Sequence, residues 1–392
     1  MQERAKLAVL QVTPALDAGG VERTTIEIAD AVTRAGGLAV VASRGGRLEA
    51  ELKAAGGVLV TMPMETKNPI TMAANVRRLI RLGRKAKVSL IHARSRAPAW
   101  SALFAARHLK VPFVTTYHGV YNGTSGPKRF YNSIMARGDV VIANSDFTRA
   151  HVIKTHRVAP DRVVSIPRGV DLQRFDPAQV DAQRIASMRL LWGLRPDDRR
   201  PIVLLPARLT RWKGQPVLIE AAARIEAARP GGAVFVLAGD SQGRAEYVSD
   251  LHALARKHGV EACVRIVGHL VDMPAALAAA TVAVFPSTDA EAFGRAAVEA
   301  QAMGVPVIAS RQGGLAETIA DGDSGYLVPA GDAAALAAAI DRVLALPPDQ
   351  RQAMGARGAA RVRGRYSVAA LQAATLEVYE RLLAGKGATD RR

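Results

Sequence analysis

The chain has 392 residues and carries 53 Lys/Arg against 35 Asp/Glu, a net charge of +18. That length suits two to three domains, and 49% apolar residues can fill their cores. A single cysteine, Cys263, excludes an internal disulfide and any zinc site built on cysteines. The charge is uneven: residues 1–170 hold 26 basic against 11 acidic residues, and the remainder 27 against 24. An anionic partner of the first half follows (membrane lipid, a phosphorylated acceptor or nucleic acid), although plain solubility in an arginine-rich chain gives the same balance.

In chain order, short apolar runs at Leu7–Val12, Leu38–Ala42, Val58–Met62, Leu90–His92, Phe113–Tyr117, Val140–Ala143 and Val163–Ile166 read as strands buried on both faces. Helical segments separate them, at about Val21–Ala35, Ile70–Lys85, Pro98–His108, Lys128–Ala136 and Asp146–His156. The alternation predicts a parallel, doubly wound α/β domain over residues 1–170. The first run is shorter than a signal-peptide core of roughly 7–15 residues and ends at Thr13-Pro14. No segment approaches the ~20 apolar residues of a membrane span. A cytoplasmic protein is expected, soluble or peripheral on the inner membrane.

Three features of this half sit where open α/β sheets bind ligands, at the carboxyl ends of strands. Gly19, Gly20 and Glu22 follow the first strand, His118 ends the fifth, and Asn144-Ser145 follows the sixth. The loop Tyr117–Lys128, with Tyr121, Asn122 and Gly126, is suited to closing over an acceptor. The stretch Arg77–Lys87 holds six basic residues in eleven and no acid. Arg77, Arg81, Arg84 and Lys85 share a helix face, with Leu79, Ile80 and Leu82 as apolar contacts, a pattern that fits either an anionic membrane surface or a solvated face.

Residues 171–200 hold Pro177, Pro196 and five aspartates and read as a linker. A second α/β alternation spans 201–365, with strands at Ile202–Pro206, Val234–Ala238, Val264–Val267, Val282–Phe285, Val307–Ala309 and Leu327–Val328. Residues 366–392 read as a C-terminal helix packing back on the first domain. Successive strand ends carry Arg208 and Lys213, then Gly239-Asp240, then Gly268-His269-Leu270, then Glu291 through Glu299. An arginine fork and a lysine suit a diphosphate. Glu291 and Glu299 fit a loop and the helix after it, with Phe293 and Gly294 at the helix start. Free N–H groups of a helix N-terminus then lie between two carboxylates able to bind sugar hydroxyls. Asp321-Gly322-Asp323 reads as a turn, so no metal site is expected.

Together these residues resemble the retaining glycosyltransferases of the GT-B fold, family 4, of the lipopolysaccharide-core or glycolipid type. The resemblance rests on GGVE at 19–22, His118-Gly119, ANS at 143–145, IPRGVD at 166–171, ARLTRWKG at 207–214, AGD at 238–240, EAFGRAAVE at 291–299 and GGLAETIADGDSGYLV at 313–328. It spans almost the whole chain, and the two glutamates eight positions apart with the upstream Arg and Lys are its most specific part.

The resemblance implies two Rossmann-like domains facing across a cleft, the first for acceptor and the second for donor. Glu299 would bind the ribose, and Glu291 the donor sugar beside backbone N–H groups of Phe293, Gly294 and Arg295. Arg208 and Lys213 would neutralise the departing diphosphate, with Gly19, Gly20 and Gly239 close to the donor and His269-Leu270 at the base. His118 would act near the anomeric carbon through its carbonyl or a ring nitrogen. Glu22, Tyr121 and the Arg77–Lys85 face would serve the acceptor or membrane. The expected activity is metal-independent hexosyl transfer, with retention, from a UDP- or GDP-sugar (UDP preferred) to a lipid-linked or lipopolysaccharide acceptor at the anionic inner leaflet. Neither a cofactor nor nucleic acid is expected to take part. An epimerase on the same fold or a nucleic-acid-binding protein are the rival readings.

Overall fold

The structure, a computed structural model, describes residues 7–17, 19–121 and 125–389. The chain divides into two compact units, Met1–Arg168 with Val368–Arg392, and Gly169–Ser367.

In the first unit the elements run β1 Ala8–Val12, α1 Gly20–Arg34, β2 Leu38–Ser43, α2 Glu49–Ala54, β3 Val58–Thr61, α3 Pro69–Lys85, β4 Leu90–Ala93 and α4 Arg96–Leu109. They continue with β5 Phe113–Tyr117, α5 Gly126–Ser133, β6 Val140–Ala143, α6 Asp146–His156 and β7 Val163–Ser165. The strands form one parallel sheet, ordered β3-β2-β1-β4-β5-β6-β7. Side chains alternate between its faces. Leu10 and Val12 enter one core cluster and Val9 the other, so a continuous apolar run is what this strand requires.

The second unit runs α7 Ala182–Leu191, β8 Ile202–Pro206, α8 Gln215–Ala228, β9 Val234–Ala238, α9 Ala245–Lys257, β10 Val264–Val267, α10 Met273–Ala279 and β11 Val282–Phe285. Then come α11 Arg295–Ala302, β12 Val307–Ser310, α12 Leu315–Thr318, β13 Gly325–Val328, α13 Ala333–Ala345 and α14 Pro348–Arg365. Its sheet is also parallel, ordered β10-β9-β8-β11-β12-β13. Ile202 and Leu204 fill one core, Val203 and Leu205 the other. The last helix, α15 Val368–Thr389, returns to the first unit and packs on α1, where Gln372 Nε2 donates to the Glu27 carbonyl at 2.7 Å.

Two expectations are corrected here. Residues 171–200 are not a linker: they belong to the second unit, and Phe175, Met188, Trp192 and Leu194 lie in its core. Four of the five aspartates that suggested a linker cap local backbone N–H groups, and the fifth, Asp197, pairs with Arg195. Asp171 accepts from the Gln173 N–H, Asp176 from Ala178, Asp181 from Arg184 and Asp198 from Arg200. The apolar side of α3 is equally spoken for. Leu79 is buried in the core, and Ile80 and Leu82 pack against it as α3 lies on α4. Arg77, Arg81, Arg84 and Lys85 remain exposed. Any membrane contact by this basic face is therefore one of charge; the exposed large apolar side chain of the helix, Ile70, lies in its first turn. Helix α2 was not visible in the sequence, because its six residues bury Leu52 alone and give no periodicity.

Candidate functional site

In each sheet the strand order reverses at one place, between β1 and β4 in the first unit and between β8 and β11 in the second. Such a reversal leaves a crevice at the carboxyl ends of the two strands.

In the second unit this crevice holds the residues singled out in the sequence. Pro206, Ala207, Arg208, Lys213, Phe285, Glu291, Gly294, Arg295, Ala296 and Glu299 line one cavity of about 260 Å³. Lys213 closes a 3₁₀ turn, Arg211–Lys213, after β8. Its Nζ pairs with Glu291 Oε2 at 2.7 Å, with the two side chains 15% and 11% exposed. Ser287 Oγ donates to the other Glu291 oxygen at 2.5 Å. The Thr288 N–H donates to the Trp212 carbonyl at 2.8 Å, tying the loop after β11 to the loop after β8. Burial pushes the Lys213 ammonium below the usual lysine range, and the Glu291 charge and hydrogen bond restore part of the loss.

Glu291 is in the loop and Glu299 inside α11, as the spacing requires, but the helix starts at Arg295, two residues later than expected. Phe293 is held out of it because its ring is buried against Tyr366, 5.7 Å between centroids. Gly294 takes the cap position at φ +85°, where a Cβ would fall 2.4 Å from Leu315 Cδ2. Arg295 Nε pairs with Glu299 Oε1 at 2.8 Å along the helix. Burial raises the Glu299 pKa, opposed by Arg295 and by the more distant Arg174. Arg174 comes from the segment misread as a linker and had no signal in the sequence reading.

Other expected residues lie outside that cavity lining. Gly239 is a packing glycine: its Cβ would lie 2.0 Å from the Ala207 carbonyl oxygen, and its N–H already donates to the Gly268 carbonyl at 3.1 Å. His269 is exposed and Leu270 is a core residue, so only its backbone is left for a ligand. Asp321 and Asp323 pair with Arg311 and Arg357, and the Leu327 N–H donates to Asp321, as in a turn.

In the first unit Gly19 caps α1 at φ +134° and Gly20 begins it. The Arg168 guanidinium lies against Gly20; a Cβ there would be 1.6 Å from its Nη1. The space left by that missing side chain is filled by the Arg168 guanidinium. Glu22 is half-buried in the first turn; burial raises its pKa, and the Arg168 charge works against that. His118 follows β5. Its carbonyl accepts from Asn144 Nδ2 at 3.1 Å, and its Nδ1 faces Arg168 Nη2 at 3.0 Å. Ser145 caps α6, accepting from the Thr148 N–H at 3.0 Å. The Tyr121 ring packs at a tilt of 45° against Tyr117, 4.5 Å between centroids, under the Arg96 guanidinium. Asn122, in the same loop, lies outside the described residues.

Arg94 was missed altogether. It follows β4 at the strand reversal, is fully buried, and donates through Nε and Nη2 to Gln11 Oε1 at 2.8 and 2.6 Å. It and Arg168 bring two cations near His118. Among the described residues no group of three or more His, Cys, Asp or Glu could hold a metal ion, and no helix is long and apolar enough to cross a membrane.

Comparison with known proteins agrees with this layout. Residues 18–174 match the family described as Glycosyltransferase Family 4, and residues 190–361 match Glycosyl transferases group 1. A glycosyltransferase of Rickettsia africae, solved by crystallography, is 32% identical with a TM-score of 0.88, covering 96% of this chain and 99% of that one. HepE of Anabaena, solved with UDP, shares the fold at 24% identity and a TM-score of 0.81, covering 96% and 100%. D-inositol 3-phosphate glycosyltransferase 2 of Catenulispora acidiphila is 36% identical over 256 residues, 64% of this chain; the match spans 58% of that relative's length. Two parallel doubly wound units, a Family 4 match in the first and a group 1 match in the second place this chain among the GT-B glycosyltransferases.

Proposed function

We propose that this protein moves a hexose, with retention and without a metal ion, from a nucleotide-sugar (UDP-sugar first) to an anionic acceptor of the cell envelope. The observation that carries the reading is the cation–carboxylate rim at the β8/β11 reversal, where Arg208, Lys213, Glu291 and Glu299 line one cavity. The reaction breaks the bond between the sugar C1 and a phosphate oxygen, and the electron pair stays on the diphosphate. Arg208, Lys213 and the N–H groups opening α11 would stabilise that charge, in place of a divalent cation. One such preorganised donor is worth on the order of 10²–10³ in rate. Glu291 would exchange its lysine for donor hydroxyls as the diphosphate takes up Lys213, and Glu299 would hold the ribose. The acceptor hydroxyl then attacks C1 on the face the diphosphate leaves, and its proton passes to the departing phosphate oxygen.

The first unit would bind the acceptor. Its excess charge favours an anionic one such as lipopolysaccharide core or a glycolipid, with Arg77, Arg81, Arg84 and Lys85 meeting the inner leaflet by charge, at about 1 kcal/mol per residue near the surface. A second reading, a phosphorylated inositol as acceptor, is favoured by the names of curated relatives 32–36% identical. Incubation with UDP-sugars and each acceptor, followed by NMR of the new linkage, tests both. Transfer with retained anomeric configuration supports the proposal, and the acceptor consumed separates the two readings. Conversion of the donor sugar without any acceptor would point to an epimerase.

A further inference from the structure

Among the buried and half-buried histidines of the first unit (His92, His118, His151 and His156), His92 and His118 differ in how their rings are partnered. His92 has both ring nitrogens engaged, Nδ1 with Tyr379 Oη at 2.5 Å and Nε2 with Thr116 Oγ1 at 2.7 Å. His118 has only Nδ1 engaged, by Arg168 Nη2 at 3.0 Å; its Nε2 is buried with no hydrogen-bond partner among the described residues. A guanidinium has donors and no acceptor. Nδ1 must therefore be the accepting nitrogen, which puts the ring proton of neutral His118 on Nε2. Its carbonyl is already used by Asn144.

The position of Arg168 is itself constrained. Its guanidinium rests on Gly20, where any side chain would displace it. The glycine that opens α1 and the arginine that follows β7 thus act together on a histidine after β5.

We propose that Arg168 is a positioning residue that holds His118 as its Nε2–H tautomer, so that His118 meets the ligand as a hydrogen-bond donor to a sugar hydroxyl oxygen and not as a proton acceptor. An unpartnered buried N–H is costly to the fold, and such an oxygen would relieve that cost. Burial, with Arg168 and Arg94 adding like charge, holds the ring well below the ordinary histidine pKa, so it stays neutral and the tautomer is defined. The inference rests on the transferase reading for the identity of the ligand, but the tautomer can be read without catalysis.

The test is a long-range ¹H–¹⁵N correlation of the imidazole rings in full-length protein labelled at its 8 histidines, with His118 assigned by His118→Gln. The expected wild-type pattern is Nε2–H. Arg168→Met should convert it to Nδ1–H or to exchange between tautomers, Arg168→Lys should restore it, and Gly20→Ala should mimic Arg168→Met by displacing the guanidinium. Unchanged His92 signals report that each variant is folded. In transfer assays Arg168→Met should lower kcat by about tenfold, the worth of one misplaced hydrogen bond, with KM little changed and with rescue by Arg168→Lys. A wild-type Nδ1–H ring, or an Nε2–H ring that survives in Arg168→Met, overturns the proposal. The Nε2–H pattern with its loss in Arg168→Met, in a protein that transfers no sugar, sustains the positioning role and rejects the transferase reading instead.

Discussion

Lys213 Nζ lies 2.7 Å from Glu291 Oε2, so an ion pair joins the two strand ends, β8 and β11, that flank the strand reversal of the second unit. The cation suited to the diphosphate and the carboxylate suited to the sugar hold each other. A donor has to separate them, and its diphosphate replaces the charge that Glu291 gives up. The pair keeps a largely buried ammonium protonated until the substrate takes over that task.

A pH effect follows. Burial pushes the Lys213 pKa down and Glu291 pushes it back up. Removing the Glu291 charge leaves the downward push alone, so the ammonium is lost at lower pH. Glu291→Gln should therefore lose UDP affinity at a lower pH than wild type as pH rises, measured by calorimetry. An alkaline limb that does not move contradicts this coupling.

Glu299 gives a separation of stability from binding. Its folded pKa is raised, chiefly by burial. A raised carboxyl pKa contributes stability below the unfolded value and loses it as pH rises through the folded one. At neutral pH the ionised group is a net cost to the unliganded fold. Glu299→Gln should leave Tm unchanged or higher while weakening UDP binding about 10- to 100-fold, the worth of a hydrogen bond to a charged acceptor. A lowered Tm with full UDP affinity would assign Glu299 to the fold alone.

Acid should open the first unit. His92 and His118 both have pKa values held well below 6.5, His92 by burial, Arg94 and His118, and His118 by burial, Arg168 and Arg94. As pH falls below about 6.5 the unfolded chain binds protons that the folded one refuses, and each such histidine lowers stability by about 1.4 kcal/mol per pH unit. Protection factors of the β4 and β5 amides, corrected for intrinsic exchange, should fall from about pH 6.5 to about 5, the histidine range. Protection that is flat over that range contradicts the assignment.

Trp192 tests the segment that precedes β8. It is 1% exposed in the core of the second unit, whereas neighbouring Leu191 is 64% exposed. Trp192→Ala should destabilise that unit by about 3–5 kcal/mol, and Leu191→Ala by no more than about 0.5 kcal/mol, by denaturant titration. Equal effects would return residues 171–200 to the status of a linker.

These cases also mark what the sequence could carry. The strands were legible because both faces of each central strand are buried, so runs such as Ile202–Leu205 are continuous and apolar. Glu291, Glu299, Arg208 and Lys213 were legible because parallel sheets bring ligands to strand ends, which the sequence marks with Gly and charge. The roles of the prolines and aspartates at 171–200 were not, since a capping aspartate and a linker aspartate look alike until the helix beside it is seen. Arg94 was missed, and Arg168 was quoted within IPRGVD without a role, for a related reason. Each follows a strand as Arg208 does, but their significance lies in Gly20, His118 and Gln11, which approach them only through the fold.

The central claim is that the rim around Lys213 and Glu291 is a metal-free nucleoside-diphosphate site. The most direct test is calorimetric titration of the full chain with UDP in EDTA, beside Lys213→Ala. The account predicts one-to-one binding by wild type that is unchanged when magnesium is restored and largely lost in Lys213→Ala. Wild-type binding that appears only with magnesium, or no binding of UDP, GDP or ADP under either condition, would contradict it.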